Sequence, residues 1–241
     1  MAITYHAPRR RRRFSPAAAD VVVSMDDKTM IQTTVTSSGH DVELFIREIQ
    51  ARFREEVREY EKNRKGQGHP AEEEEDRQHC LVVGLDTEWR QYYDHESGKR
   101  RNQMAVLQLC VADRCLVYQL FHADYIPAEL AAFLADPAHC FVAVAVGGDV
   151  ERLREDCNLE VAHTMDLPPL AAAVLDRPDL RRSGLSTLAR EVMGTVVEKE
   201  KKVTMSKWAA KRLSDKQVRY ACIDAFVSFH VGRRLLCEPR V

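Results

Sequence analysis

Apolar positions change their period along the chain, and each change marks a predicted element. Val42, Phe45, Ile49, Phe53, Val57 and Tyr60 recur at helical spacing with Glu and Arg between them. That pattern predicts an amphipathic helix capped near Ser38 or Asp41. From Lys62 to Gln78 the chain turns polar, with Gly66, Gly68, Pro70 and an acidic run from Glu72 to Asp76. It reads as a solvated loop inserted over 62–79, or as an acidic interaction patch. Three short apolar runs follow, Leu81–Leu85, Met104–Val111 and Cys115–Gln119, with the polar stretch Tyr92–Asn102 as a turn between the first two. Strands in such quick succession predict an antiparallel start to a sheet. Leu130–Leu134 follows Pro127 as a short helix, and Cys140–Val146 is apolar enough for a strand buried on both faces. A helix is expected to begin just after it, at Asp149. Helical spacing then dominates Pro168–Leu175, Leu185–Met193, Met205–Leu213 and Asp215–Cys237, punctuated by Gly194 and Gly232. The expected fold is α/β, a mixed sheet flanked by helices. It occupies residues 31–238, after a basic tail over residues 1–30.

Composition narrows this picture. A chain of 241 residues with 45% apolar residues suffices for one domain with a substantial core. A net charge of −1 excludes a uniformly basic nucleic-acid coat, so a polyanion must be held by local patches or through metal. The seven cysteines are an odd number and none shows C-x-x-C spacing. Buried reduced thiols of an intracellular protein explain them better than a disulfide framework or a zinc site. No apolar run approaches the ~20 residues of a membrane span, and no apolar signal segment opens the chain. A soluble protein of the nucleus, the cytoplasm or both is expected, with no membrane partner. The run Arg9–Arg13 fits a nuclear-import signal, a phosphate-binding arm, a transit segment or a plain solvated tail.

Three stretches carry candidate chemistry. In Gly84-Leu85-Asp86-Thr87-Glu88-Trp89, Asp86 and Glu88 lie two apart on a strand and share a face. Paired carboxylates repel and raise each other's pKa, and a hard divalent cation offsets that cost. In Val146-Gly147-Gly148-Asp149 a buried strand delivers a carboxylate to a helix start, where it serves either as an N-cap or beside a bound group. In Tyr220-Ala221-Cys222-Ile223-Asp224, Tyr220 and Asp224 share a helix face, and apolar neighbours predict burial of the aspartate. A buried carboxylate needs a polar partner or a metal. Each stretch alone also fits a bland structural role.

Taken in this order, Asp-x-Glu, a glycine-flanked Asp and Tyr-x-x-x-Asp resemble the DEDDy branch of the DnaQ-like 3′→5′ exonucleases. They are most similar to the plant Werner syndrome exonuclease-like proteins, including the RISC-interacting clearing exoribonucleases. The similarity extends through Val106–Cys110, Gly184–Ala189 and Lys202–Trp208. Arg219 stands where the sister branch has histidine, and Ala143 and Ala145 stand where glycine is frequent. The resemblance implies an RNase H-like sheet and two ions of Mg2+ or Mn2+ held by Asp86, Glu88, Asp149 and Asp224. It gives Tyr220 the task of orienting or deprotonating the attacking water. It further implies 3′ ends of single-stranded nucleic acid as substrate, RNA ahead of DNA, with a hexameric homo-oligomer and small-RNA machinery as partners. A catalytically silent nuclease fold, kept for binding or assembly, is the competing expectation. Substrate contacts are expected from the backbone of Thr87 to Trp89 and from Arg101 and Lys207, while Trp89 fits either stacking on a base or a place in the core. The clusters Lys99-Arg100-Arg101, Arg181-Arg182 and Lys201-Lys202 fit either a nucleic-acid grip or solvated faces.

Overall fold

The structure, a computed structural model, describes residues 18–26, 29–66, 80–96, 98–197 and 201–237. In chain order its elements are β1 (Ala19–Ser24), β2 (Met30–Thr36), α1 (Gly39–Gly66), β3 (Leu81–Asp94), β4 (Lys99–Val111), β5 (Arg114–Tyr118), α2 (Ala128–Ala135), β6 (His139–Ala143), α3 (Val146–Cys157), β7 (Thr164–Asp166), α4 (Leu167–Val174), α5 (Leu185–Leu188), α6 (Lys201–Thr204) and α7 (Asp215–Cys237). The strands form one mixed sheet in the order β1-β2-β5-β4-β3-β6-β7. β3, β4 and β5 pair antiparallel, whereas β6 and β7 add to β3 in parallel.

Each face of the sheet buries its own core. On one side α1, α2 and α3 cover Leu81, Val83, Leu85, Leu107, Leu109 and Phe141. On the other α4, α5 and α7 cover Val82, Val106, Cys110, Val142 and Leu167. This alternation along β3 follows from the period of two that puts successive side chains on opposite faces. α7 crosses the second face broadside. Cys222 meets Thr33 of β2 and Cys115 of β5, Ala225 and Phe229 lie on Gly84 of β3, and Gly232 lies on Val142 of β6. A Cβ at Gly84 would collide with the Ala225 carbonyl and stand 2.6 Å from the Phe229 nitrogen. Only glycine lets helix and strand approach so closely.

Several expected boundaries move. The tail was expected to run to about residue 30, but Ala19–Ser24 forms β1, paired antiparallel to β2, which in turn pairs parallel to β5. The Arg9–Arg13 run and the acidic run Glu72–Asp76 lie outside the described residues. α1 continues to Gly66, into the stretch expected to be loop. The polar stretch expected as a turn over Tyr92–Asn102 is instead mostly strand, since Tyr92, Tyr93 and Asp94 pair with Arg101, Arg100 and Lys99. β6 ends at Ala143, three residues short of the expected strand end, and Ala145 turns the chain at φ 59°. No helix forms over Met205–Leu213. There Gln217, His122 and Gln119 side chains bond the carbonyls of Lys207, Ala209 and Ala210, which a helix would have kept for its own N–H groups. None of the seven cysteines is in a disulfide. Among the described residues no helix is long and apolar enough to cross a membrane.

The Gly84 contact predicts that Gly84→Ala lowers the unfolding free energy by about 3 kcal/mol. Gly147→Ala, whose Cβ meets nothing within 4 Å, should change it by less than about 1 kcal/mol. Urea denaturation of both variants measures the difference.

Candidate active site

Because Val82 and Gly84 face α7, the next residues of the same parity, Asp86 and Glu88, continue that row toward the end of β6. The row stops at a β-bulge between Glu88 and Trp89, which changes the direction of the side chains that follow. α7 passes over this row at Gly84 and has two flanks. His230, on one, lies near the backbone of Ala112 in the β4–β5 turn, level with the start of β3. Tyr220 and Asp224 lie on the other flank, away from the start of β3. Glu88 and Asp224 are 8% and 4% exposed, too buried to count as solvated strand or helix ends. Cross-strand from Asp86, Gln108 is fully buried, and neither its amide nitrogen nor its oxygen has a hydrogen-bond partner.

Asp149 approaches from the opposite face. It lies in the first turn of α3 rather than at its cap, which is Ala145 and makes no side-chain cap bond. The buried Thr87 hydroxyl donates to Asp149 Oδ1 at 2.5 Å. Burial pushes the Asp149 carboxyl up to about 6, while Thr87 and Arg152 lower it and Asp166 raises it further. β6 ends beside Gly84 and Leu85, so the β3 edge at Asp86–Glu88 is uncovered between these two groups of acids. The carboxyl ends of parallel strands are where open α/β sheets present their binding crevice. Asp166, at the end of β7, also sits here. It accepts a hydrogen bond from the Ala145 nitrogen at 2.8 Å, holding the turn in a left-handed conformation that glycine would adopt without strain. The motif reading did not single out Asp166 or Arg152. Their only sequence signal was a carboxylate just after a short apolar strand, and an arginine on the helix that carries Asp149.

A groove of about 410 Å³ adjoins these residues, lined by Trp89, Arg90, Gln91, Thr204, Ser206 and Lys207, among others. The Thr204 hydroxyl donates to Tyr220 Oη at 3.2 Å, which puts the tyrosine at the groove's rim. Arg152 stacks over the Trp89 ring at 4.7 Å, and Trp89 is 36% exposed rather than a core residue. Of the residues expected to touch substrate, Trp89 and Lys207 share this groove. The Thr87 side chain does not line it, being committed to Asp149. Arg101 lies on the projecting half of the β3–β4 hairpin and pairs with Asp94 at 3.0 Å.

The raised Asp149 carboxyl has a stability consequence. The folded state holds that proton more tightly than the unfolded chain, so ionisation costs nothing below pH ~4 and its full amount above about 6. The cost is at most about 3 kcal/mol. In chelator-treated protein, Asp149→Asn should therefore melt above the parent at pH 7, and the difference should close by pH 4. Scanning calorimetry across that range measures it.

The 3′-5′ exonuclease family profile matches residues 67–238. A Drosophila melanogaster relative, Exonuclease 3′-5′ domain-containing protein 2, is 31% identical over 161 residues, covering 65% of this chain and 26% of that protein. An Arabidopsis thaliana 3′-5′ exonuclease is 28% identical over 158 residues, covering 65% of this chain and 53% of its own length. The chain thus spans about half or less of these relatives. Escherichia coli RNase D, an exoribonuclease involved in structured RNA processing, superposes with a TM-score of 0.54 at 22% identity, over 67% of this chain and 40% of that one. With its mixed sheet flanked by helices and an RNase H-like fold, the chain belongs to the 3′-5′ exonuclease family.

Proposed function

We propose that this chain removes nucleotides from the 3′ end of single-stranded nucleic acid, RNA ahead of DNA, with two divalent cations bound by Asp86, Glu88, Asp149 and Asp224. The observation that supports the reading is the crossing of α7, which carries Tyr220 and Asp224, over Gly84, two residues before Asp86 on the same face of β3. The donor set fits such ions. It is all oxygen, which suits magnesium or manganese. Its acids are largely buried, and ionising Asp149 is costly without a counter-charge. The orphaned amide of Gln108 beside Asp86 calls for polar contents in the same space. When bound, the cations would lower the pKa of the attacking water and stabilise the leaving oxygen.

The remaining roles belong to the chain's own residues. Asp86 and Glu88 supply acceptor oxygens from one face of β3. Thr87 holds Asp149 from the other. Tyr220 offers a hydroxyl that would orient the attacking water. Its link to Thr204 ties that hydroxyl to the groove wall. Trp89 offers a stacking surface for the terminal base, and Lys207 a positive charge for the backbone. Neither of these two contacts reads a base edge, so the sequence preference they confer should be weak.

The test is digestion of 5′-labelled single-stranded RNA, single-stranded DNA and recessed duplexes, with magnesium or with EDTA. Single-nucleotide ladders that EDTA abolishes are expected, strongest on RNA. Asp86→Ala should lower the rate at least about 10³-fold, and Tyr220→Phe about 10²-fold in kcat with little change in KM. Trp89→Ala should instead raise KM, by about 10-fold or more, the amount that losing one base–aromatic stack implies. Absence of ladders on every substrate would favour the silent binding or assembly fold. Ladders that persist in Asp86→Ala would expose a contaminant.

A further inference from the structure

The end of the sheet remote from the acids holds a different set of ligating groups. Cys80 immediately precedes β3, Cys140 lies on β6, and His163 immediately precedes β7. Val82 pairs with Cys140, and Phe141 pairs with Thr164, so the three residues come from neighbouring parallel strands. Parity places Cys80 and Cys140 on the α7 face with Val82 and Val142. One ligand atom from each of the three residues lies within 4.8 Å of the others. Cys140 is buried, whereas Cys80 and His163 are partly open to solvent, which leaves a route of entry. α7 lies on Val142 through Gly232 and ends at Cys237, an exposed thiol seven residues beyond His230 on the same flank of the helix.

We propose that Cys80, Cys140 and His163, completed by Cys237, bind one zinc ion that fastens the end of α7 to the starts of β3, β6 and β7. Two or three thiolates with an imidazole are soft donors that select zinc over magnesium. Tetrahedral zinc with bonds of ~2.3 Å to sulfur holds its ligand atoms a little under ~4 Å apart, a small contraction from the observed spread. The site was invisible to spacing rules because its ligands are brought together by strand pairing rather than by a C-x-x-C turn. Along β3, Cys80 stands about 20 Å from Asp86, so the two sites share a sheet face and no ligand. The fastened helix is the one that carries Tyr220 and Asp224, so zinc here would be structural. Binding displaces the thiol protons to solvent and changes no oxidation state.

The experiment uses the full chain expressed with supplementary zinc and freed of loose metal by desalting. Elemental mass spectrometry should find about one zinc per chain. That content should persist in Asp86→Ala and fall at least about tenfold in Cys140→Ser and in His163→Ala, the second replacing a partly exposed residue and so sparing the fold. Cobalt(II) in place of zinc should give a thiolate-to-metal charge-transfer band with the visible absorption of a tetrahedral ion, both weakened in Cys237→Ser. Zinc and cobalt absent from the parent chain would overturn the proposal. So would metal retained in Cys140→Ser but lost in Asp86→Ala, or a parent mass lighter by two hydrogens with Cys80 and Cys140 joined. A cobalt spectrum unchanged in Cys237→Ser would overturn its place as fourth ligand.

Discussion

The contact of α7 with Gly84 is the constraint on which the candidate site depends. A helix normally stands off a sheet by the depth of its side chains. Here the strand residue has none, and the helix backbone comes down onto β3. Two residues further along the same face stands Asp86, so the flank of α7 that leads Gly84 is brought beside a carboxylate. A side chain at Gly84 would lift the helix and carry Tyr220 and Asp224 with it. The close seating of α7 on β3, and with it the proposed alignment of the acids, thus rests on one missing Cβ.

Burial works differently on the two sides of β3. On the α7 side, Asp86 and Glu88 extend a row that is otherwise apolar. On the α3 side, the Thr87 hydroxyl holds Asp149, and burial leaves its carboxyl near the edge of ionisation. Asp166 adds negative potential while Arg152 offsets part of it. An assembly of this kind is costly as a bare structure and makes physical sense as a receptor for positive charge.

The parts of the fold legible in the sequence were those whose pattern reports burial. Leu81–Leu85, Met104–Val111 and Asp215–Cys237 each pack against a core, and their periods showed it. The hairpin beyond Glu88 extends past the helices that cover the sheet. Tyr92 to Asp94 and Lys99 to Arg101 face solvent, so their pairing leaves no alternation to read. β2 carries Thr33, Thr34 and Thr36 into buried positions where hydroxyls bond Cys222, Asp20 and Asp41, so the strand has no apolar alternation to read. The Met205–Leu213 stretch had helical spacing, but distant Gln and His side chains captured its carbonyls, a tertiary effect that local pattern does not carry. The acids were recognisable as a set, yet the office of Thr87 beneath Asp149 required the three-dimensional pairing.

The account stands on one spatial claim, that acids from β3, α3 and α7 serve a single pocket. Crystals soaked in manganese and measured at the manganese absorption edge address it directly. The account predicts anomalous peaks lying between the carboxylates of Asp86 and Asp224, with Asp149 and Glu88 at their margins. Manganese bound by only one of these acids, or no peak beside Asp86 at saturating concentration, would contradict it.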